Sequence, residues 1–263
     1  LVGEPSYSLG GTDRGRARVV SSRTGKQLFH RVGSAAFDLF GTAVADAGDV
    51  DGDGTPDVLV GAPGVAMGGP GGGPDKGRVY LYSGADGSVL DARSYGDGYA
   101  EFGTSLAVLD DIDGDGSPQI AVGAPGNGKV FQFELMGGLP VLTADYGGRF
   151  GQVVAAVGNY DGLGGRDVAA SDPTYDASFV SGGLLYTTPE AGRVCLVSSS
   201  TGALLAAWSA PAHGSEAGWQ LHDAGDVTGD GVGDVLVVGR QPNGTPISGN
   251  PQRFWVLSGI SIL

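Results

Sequence analysis

Basic residues are scarce in this chain: 15 Lys and Arg stand against 29 Asp and Glu in 263 residues, a formal net charge of −14. A polyanion rewards only a surface that supplies cations, so bare nucleic acid is excluded as a natural partner. Cysteine is limited to Cys195, in "GRVCLVS". It can form no intrachain disulfide, and its strand-like neighbours predict a buried thiol rather than a reactive one. No run of about 18 apolar residues is present, so no segment reads as a helix through a bilayer and no membrane insertion is expected. The opening, "LVGEPSYSLGG", has neither an initiator Met nor a basic segment leading into an apolar one, so a signal peptide is expected to be absent or removed. Histidine occurs as His30, His213 and His222. The pair His222-Asp223 lacks an activated nucleophile, which makes loop support its expected role and leaves no catalytic residues to assign.

Glycine, in contrast, is abundant at 51 residues without a three-residue period, which excludes a collagen-like fibre and predicts a turn-rich fold. With 41% hydrophobic against 17% charged residues the chain can build a core. Its length fits one all-β domain or two smaller ones.

The dominant feature is repetition. "FGTAVADAGDVDGDGTPDVLVGAP" (40–63) aligns without a gap to "FGTSLAVLDDIDGDGSPQIAVGAP" (102–125), "FGQVVAAVGNYDGLGGRDVAASDP" (150–173) and "AGWQLHDAGDVTGDGVGDVLVVGR" (217–240). A second phrase lies between the copies: "GRARVVSSRTGKQL" (15–28), "GRVYLYSGADGSVL" (77–90), "GRVCLVSSSTGALL" (192–205) and the altered "QRFWVLSGISIL" (252–263). "GKVFQFEL" (128–135) supplies the matching strand but lacks the turn. Each unit reads as four short strands, exemplified by "TAVADAG", "DVLVGA", "RVYLYS" and a weaker one near "SVLDARSY". Several are apolar on both faces and must be covered on both sides. Four-stranded units in series predict an all-β propeller whose blades cover one another, over a β-sandwich, which has no reason to repeat an Asp/Gly phrase at equivalent positions. "LVGEP" (1–5) matches "LVGAP" (59–63), so the sequence is expected to open inside a unit. The expected units are 1–39 (partial), 40–101, 102–149, 150–216 and 217–263, giving five blades or part of a larger ring.

The acidic phrase within each copy carries the chemistry. Numbered from its first ligand position, the first loop has carboxylates at positions 1, 3, 5 and 9, Asp49, Asp51, Asp53 and Asp57, with the Thr55 carbonyl at position 7. Glycines at 52 and 54 let the backbone bring these oxygens around one point. An all-oxygen set without His or Cys suits Ca²⁺, whereas Mg²⁺ wants fewer protein ligands in stricter octahedral geometry. A solvated Asp/Gly turn is the plain alternative, and the repeated spacing argues against it. The second loop offers Asp111, Asp113, Asp115, the Ser117 carbonyl and Gln119, one charge fewer. The third offers Asn159, Asp161, the Gly165 carbonyl and Asp167, with Leu163 where an aspartate belongs, and is the weakest. The fourth offers Asp226, Thr228, Asp230, the Val232 carbonyl and Asp234. Three or four Ca²⁺ ions are expected; four would reduce the formal charge from −14 to −6.

Phe40-Gly41 with Gly61-Ala62-Pro63, and Phe102-Gly103 with Gly123-Ala124-Pro125, flank this loop completely; Phe150-Gly151 ends in Ser171-Asp172-Pro173, and Ala217-Gly218 in Val238-Gly239-Arg240. The combination resembles the FG-GAP repeat of integrin alpha-subunit β-propellers and related extracellular proteins. The resemblance implies that each loop joins the first two strands of a blade and holds structural Ca²⁺ on a lower rim. It further implies a protein or glycan ligand, or a partner subunit, on the opposite face, in an extracellular or cell-surface setting.

A filled oxygen cage leaves no open position for metal catalysis, and carboxylates bunched in single loops are not spaced as glycosidase acids. The glycine-rich "PGVAMGGPGGGPDK" (63–76) lacks the Lys-Ser/Thr of a phosphate loop. The chain itself is therefore expected not to be an enzyme. A propeller attached to a secreted hydrolase or lyase, or a calcium-stabilised scaffold without a ligand, are the alternatives. The stretch 172–192, with Tyr175, Phe179, Leu184, Leu185 and Tyr186, is expected as a loop tucked over its unit or displayed to a partner.

Overall fold

The computed structural model describes residues 1–8, 12–66, 76–136, 139–181, 184–211, 214–240 and 252–258, and every regular element among them is a strand. Strands β1 (Val2–Glu4), β2 (Arg16–Val20) and β3 (Gln27–Val32) form the first sheet. Strands β4 (Val44–Gly48), β5 (Asp57–Ala62), β6 (Arg78–Tyr82) and β7 (Val89–Arg93) form the second, and β8 (Ser105–Val108), β9 (Gln119–Ala124), β10 (Lys129–Glu134) and β11 (Leu142–Asp145) the third. The fourth sheet pairs β12 (Val153–Ala156), β13 (Val168–Asp172), β16 (Arg193–Val197) and β17 (Leu204–Ser209), with β14 (Ala177–Ser181) and β15 (Leu184–Thr188) as a separate hairpin between β13 and β16. Strands β18 (Ala217–Gly225), β19 (Asp234–Arg240) and β20 (Gln252–Leu257) form the fifth. Each sheet is an antiparallel meander, and β1 occupies the place that β5 holds in the next sheet, as the match of "LVGEP" to "LVGAP" requires.

One element supplies the expected fourth strand without its turn phrase, and one departs from the sequence reading. Strand β11 pairs with β10 from Lys129↔Asp145 to Gln132↔Leu142 although the turn phrase is missing there, because the Val141 amide reaches the Gln132 carbonyl at 2.8 Å and closes the connection. The 172–192 stretch is no tucked loop: β14 and β15 pair over five residues, and Leu184, Leu185 and Tyr186 stand 64%, 71% and 45% exposed. Two β-prone runs on either side of Gly182-Gly183 satisfy each other's backbone groups, which a loop laid over the sheet would leave unpaired. Tyr175 does tuck, under the Arg193 guanidinium at 4.3 Å from its ring centre. Most of the glycine-rich stretch 63–76 lies outside the described residues, as do 241–251 and His213.

Successive sheets share cores, and this explains the strands that lack a polar face. All six residues of β5 are buried. Val58, Val60 and Ala62 face the core shared with the first sheet, while Leu59 faces Phe102, Ile120, Val122, Phe131 and Phe133 of the next. Strands β9 and β13 divide in the same way: Ala121 and Val168 share one core, Ile120 an earlier one and Ala169 a later one. Burying one such aliphatic or aromatic side chain contributes about 1.5–3 kcal/mol. Cys195, 1% exposed, is part of this packing, and burial pushes its thiol up to about 11, so it is inert as expected.

The flanking motifs stitch sheet to sheet. The Phe of each Phe-Gly is buried, Phe40, Phe102 and Phe150 at 2%, 0% and 0% exposed, and Ala217 takes the place at 0%. The backbones of Phe40, Phe102 and Ala217 form parallel bridges to the preceding unit, Gly15↔Phe40, Gly77↔Phe102 and Gly192↔Ala217. The following glycine then donates to the residue that opens Gly-Ala-Pro in its own unit, Gly41 to Gly61 at 2.9 Å and Gly103 to Gly123 at 3.0 Å.

Candidate metal centres

Each acidic loop connects the first two strands of its sheet: 49–56 runs from β4 to β5, 109–118 from β8 to β9, 157–167 from β12 to β13, and 226–233 from β18 to β19. The loops fold on their own carboxylates. In the first, the Gly54 amide donates to Asp49 Oδ2 at 2.9 Å, Asp53 to Asp51 Oδ1 at 3.1 Å, and Thr55 to Asp53 Oδ1 at 2.8 Å. Gly52 and Gly54 take φ of +77° and +89°, the left-handed conformations that the tight winding demands. The second and fourth loops repeat the pattern, with Gly116 and Gly231 donating to Asp111 and Asp226 at 2.9 Å, and Ser117 and Val232 to Asp115 and Asp230 at 2.8 and 2.9 Å.

Asp49, Asp51 and Asp57 offer carboxylate oxygens within 4.8 Å of one another, and so do Asp111, Asp113 and Asp115. Among the described residues the ion pairs formed by Lys and Arg use Glu4, Asp91, Glu101, Asp110, Asp145 and Glu216, so no basic side chain offsets either trio. Partial desolvation, with the charges of Asp53, Asp57 and Asp49, holds the Asp51 carboxyl above its ordinary value. Close, uncompensated carboxylates of this kind fit a hard divalent cation. Asp53 is outside the first trio.

Position 9 has a second role that ligand counting misses. Asp57, Asp167 and Asp234 are 1%, 0% and 0% exposed. Asp57 Oδ2 accepts from the Val50 and Asp51 amides at 2.8 and 3.3 Å, and its Oδ1 accepts from Gly84, just past β6, at 2.9 Å. Asp167 braces Tyr160 at 2.7 Å and Ser199 at 3.0 Å in the same way, and Asp234 takes Val227 and Thr228 at 2.8 and 2.9 Å. These carboxylates fasten the loop entrance to the sheet.

The other expected ligands are placed unevenly. The Thr228 hydroxyl donates to Asp234 Oδ1 at 3.2 Å, and Ser258 to Asp230 Oδ2 at 2.7 Å, which holds the Asp230 carboxyl below its ordinary value. Gln119 turns its oxygen to the Ile112 amide at 2.7 Å and its nitrogen toward Asp113 and Glu134. Glu134 was invisible to loop counting because it closes β10. Burial first, opposed by the Gln119 bond and aided by Asp113 and Asp115, raises its carboxyl.

The third loop is built differently. Asn159 donates through Nδ2 to the Gly164 carbonyl at 2.9 Å, where the other first-position residues accept the amide of the equivalent glycine. Leu163 is exposed, and Asp161 accepts its amide at 2.8 Å. Gly165 packs against the Asp110 side chain, and Arg166 clamps Asp110 through its backbone amide at 2.9 Å and its guanidinium at 3.2 Å. An amide and a guanidinium thus hold this loop, a donor set that fits a cation poorly. His30 and His222 are exposed, and Asp223 accepts the Gly225 amide, so no acid–base pair is assembled there.

The FG-GAP repeat model matches residues 40–82 and 102–134, the first three strands of the second and third sheets with their acidic loops. Integrin alpha-4 of Xenopus laevis is 35% identical over 161 residues, covering 54% of this chain and 15% of that protein. Integrin alpha-7 of Homo sapiens is 44% identical over 102 residues, covering 35% and 8%. Integrin alpha-IIb of Mus musculus is 34% identical over 162 residues, covering 55% and 14%. The chain thus spans only about a tenth of the length of these relatives. It carries FG-GAP repeats and is distantly similar to integrin alpha subunits.

Proposed function

We propose that the chain is a calcium-stabilised β-propeller module that presents a binding face to a protein or glycan in an extracellular or cell-surface setting. The five serial sheets, which share cores, are its blades within one domain. What carries the reading is the pair of carboxylate trios in the equivalent loops of successive units, alike at positions 1 and 3 and completed by position 9 in the first and position 5 in the second, each without a basic partner among the described residues. The first, second and fourth loops hold the ions, and the third keeps its shape without one. The role of the ion is structural: it neutralises the trios and binds only the folded loops, so it stabilises by about 2.7 kcal/mol for one site at a hundred times its dissociation constant. Thermal melts in calcium and in excess chelator are expected to show the higher midpoint with calcium. Coincident midpoints, with metal removal verified, would refute a structural ion.

The binding face is assigned to the end of each sheet opposite the acidic loops. The third loop enters β13 at Val168, and the β14–β15 hairpin leaves it after Asp172, so loop and hairpin emerge at opposite ends of one strand. Leu184, Leu185 and Tyr186 supply exposed apolar surface there. Replacing all three by alanine is expected to leave the melting midpoint nearly unchanged, while Tyr175→Ala lowers it by removing the stack on Arg193. A large loss of stability in the triple variant would make the hairpin packing instead of display.

A further inference from the structure

The strand register exposes an exchange between the second loop and the others. Gln119 pairs across β9 and β10 with Glu134. The same step past Val58↔Tyr82, Val168↔Val197 and Val235↔Leu257 sets Asp57 opposite Ser83, Asp167 opposite Ser198, and Asp234 opposite Ser258. Three copies therefore place aspartate against serine, and the second places glutamine against glutamate. Each cross-strand pair keeps one carboxylate, but in the second copy it has moved to the neighbouring strand.

Gln119 retains the bracing half of the position-9 task through its bond to the Ile112 amide. Its other end donates to both Glu134 oxygens, at 3.0 and 2.9 Å, and to Asp113 Oδ1 at 3.2 Å, which links Glu134 to the acidic trio. Glu134 has no cationic partner among the described ion pairs. The nearby Arg93 spends its guanidinium on the Glu134 and Leu135 carbonyls and on Asp91. A cavity of about 160 Å³ opens beside these groups, lined by Asp113, Gln119, Glu134 and Ser199 among others. The Ser199 side chain, 1% exposed, leaves its hydroxyl without a hydrogen-bond partner. The Glu134 carboxylate, the Asp113 member of the acidic trio and an unsatisfied hydroxyl on one cavity leave oxygen donors in excess of positive charge.

We propose that Glu134 supplies the fourth negative charge of the second calcium centre, standing in for the absent position-9 aspartate, with Gln119 as the residue that positions it. This rests on the calcium reading above. The opposing view makes Glu134 only a hydrogen-bond acceptor for Gln119.

Calorimetric titration of the full chain with CaCl₂ separates them, using wild type, Glu134→Gln, Asp113→Asn as a marker of the second centre, and the double variant Gln119→Asp with Glu134→Ser. Glu134→Gln is expected to weaken by about tenfold the same binding event that Asp113→Asn weakens, while its calcium-free melting midpoint does not fall, since an uncompensated charge is removed. The double variant rebuilds the arrangement of the other copies and is expected to restore the affinity. If Glu134→Gln binds calcium like wild type, or loses only calcium-free stability, the inference is overturned. Should Glu134→Gln fail to fold, a double variant that folds yet binds the second ion tenfold more weakly would overturn it as well. Failure of wild type to take up any calcium would bring down the calcium reading and this inference together.

Discussion

Asp57→Ala is expected to cost about 3–4 kcal/mol of folding stability in calcium-free solution, far more than Asp53→Ala at the exposed fifth position of the same loop. The Asp57 carboxylate is 1% exposed and accepts from the Val50, Asp51 and Gly84 amides. Hydrogen bonds to a charged group contribute about 1.5–3 kcal/mol each, not additively, and alanine leaves all three donors facing a void. Among the described residues Asp53 accepts only from the Thr55 amide, at an exposed position, so its loss removes little without an ion. Calcium affinity should fall in both, in Asp57→Ala through loss of a member of the trio and in Asp53→Ala through loss of a neighbouring loop carboxylate. Denaturant unfolding with chelator and with calcium, run on both variants, measures the two effects apart. Equal calcium-free stabilities would mean that the brace is not what holds the loop to its sheet.

That division of labour marks how far the sequence could be read. The repeated spacing placed all four loops between the correct strands, because a motif fixed in register against variable connections can only be a packed unit. It also gave the strands that lack a polar face, since alternate residues of β5, β9 and β13 serve two different cores. What spacing could not give was direction. Asp57 and Asp49 look equivalent in the string, yet one points into the sheet and the other to solvent. Gln119 counts as an oxygen ligand until its nitrogen is seen facing Glu134, a residue of another strand. Asn159 likewise reads as a weaker aspartate until its amide is found on the Gly164 carbonyl. The hairpin β14–β15 was legible in principle: Gly182-Gly183 between two β-prone runs is a hairpin signal, outweighed in the reading by the apolar side chains that a loop would have had to hide.

Gly61→Ala is the other substitution expected to be severe, at about 3 kcal/mol or more, although it adds a single methyl and lies at the far end of β5 from the acidic loop. Gly61 has no positive φ, so backbone conformation does not demand glycine there. Space does. A Cβ at Gly61 would stand 2.0 Å from the Gly103 carbonyl oxygen, the Phe-Gly glycine of the next unit. The same approach recurs between Gly3 and Gly41 at 2.1 Å and between Gly123 and Gly151 at 2.0 Å. The glycine that opens Gly-Ala-Pro therefore sets the distance between sheets. The obstacle is backbone, which cannot swing aside as a flexible side chain can, so the methyl must part the β5 and β9 sheets along the core that holds Leu59, Phe102 and Phe133. The unit 150–216 supplies the internal contrast. Ser171 takes the same place, and its hydroxyl donates to the Gly218 carbonyl at 2.7 Å, so that junction is already spaced for a side chain. Ser171→Ala should accordingly cost only about 1 kcal/mol, the value of one buried hydrogen bond. Denaturant midpoints for the two variants test the contrast, and calcium should leave the gap between them intact because neither residue touches an acidic loop. A Gly61→Ala protein as stable as Ser171→Ala would show that the sheets can separate cheaply, and the explanation of the motif as a spacer would be wrong.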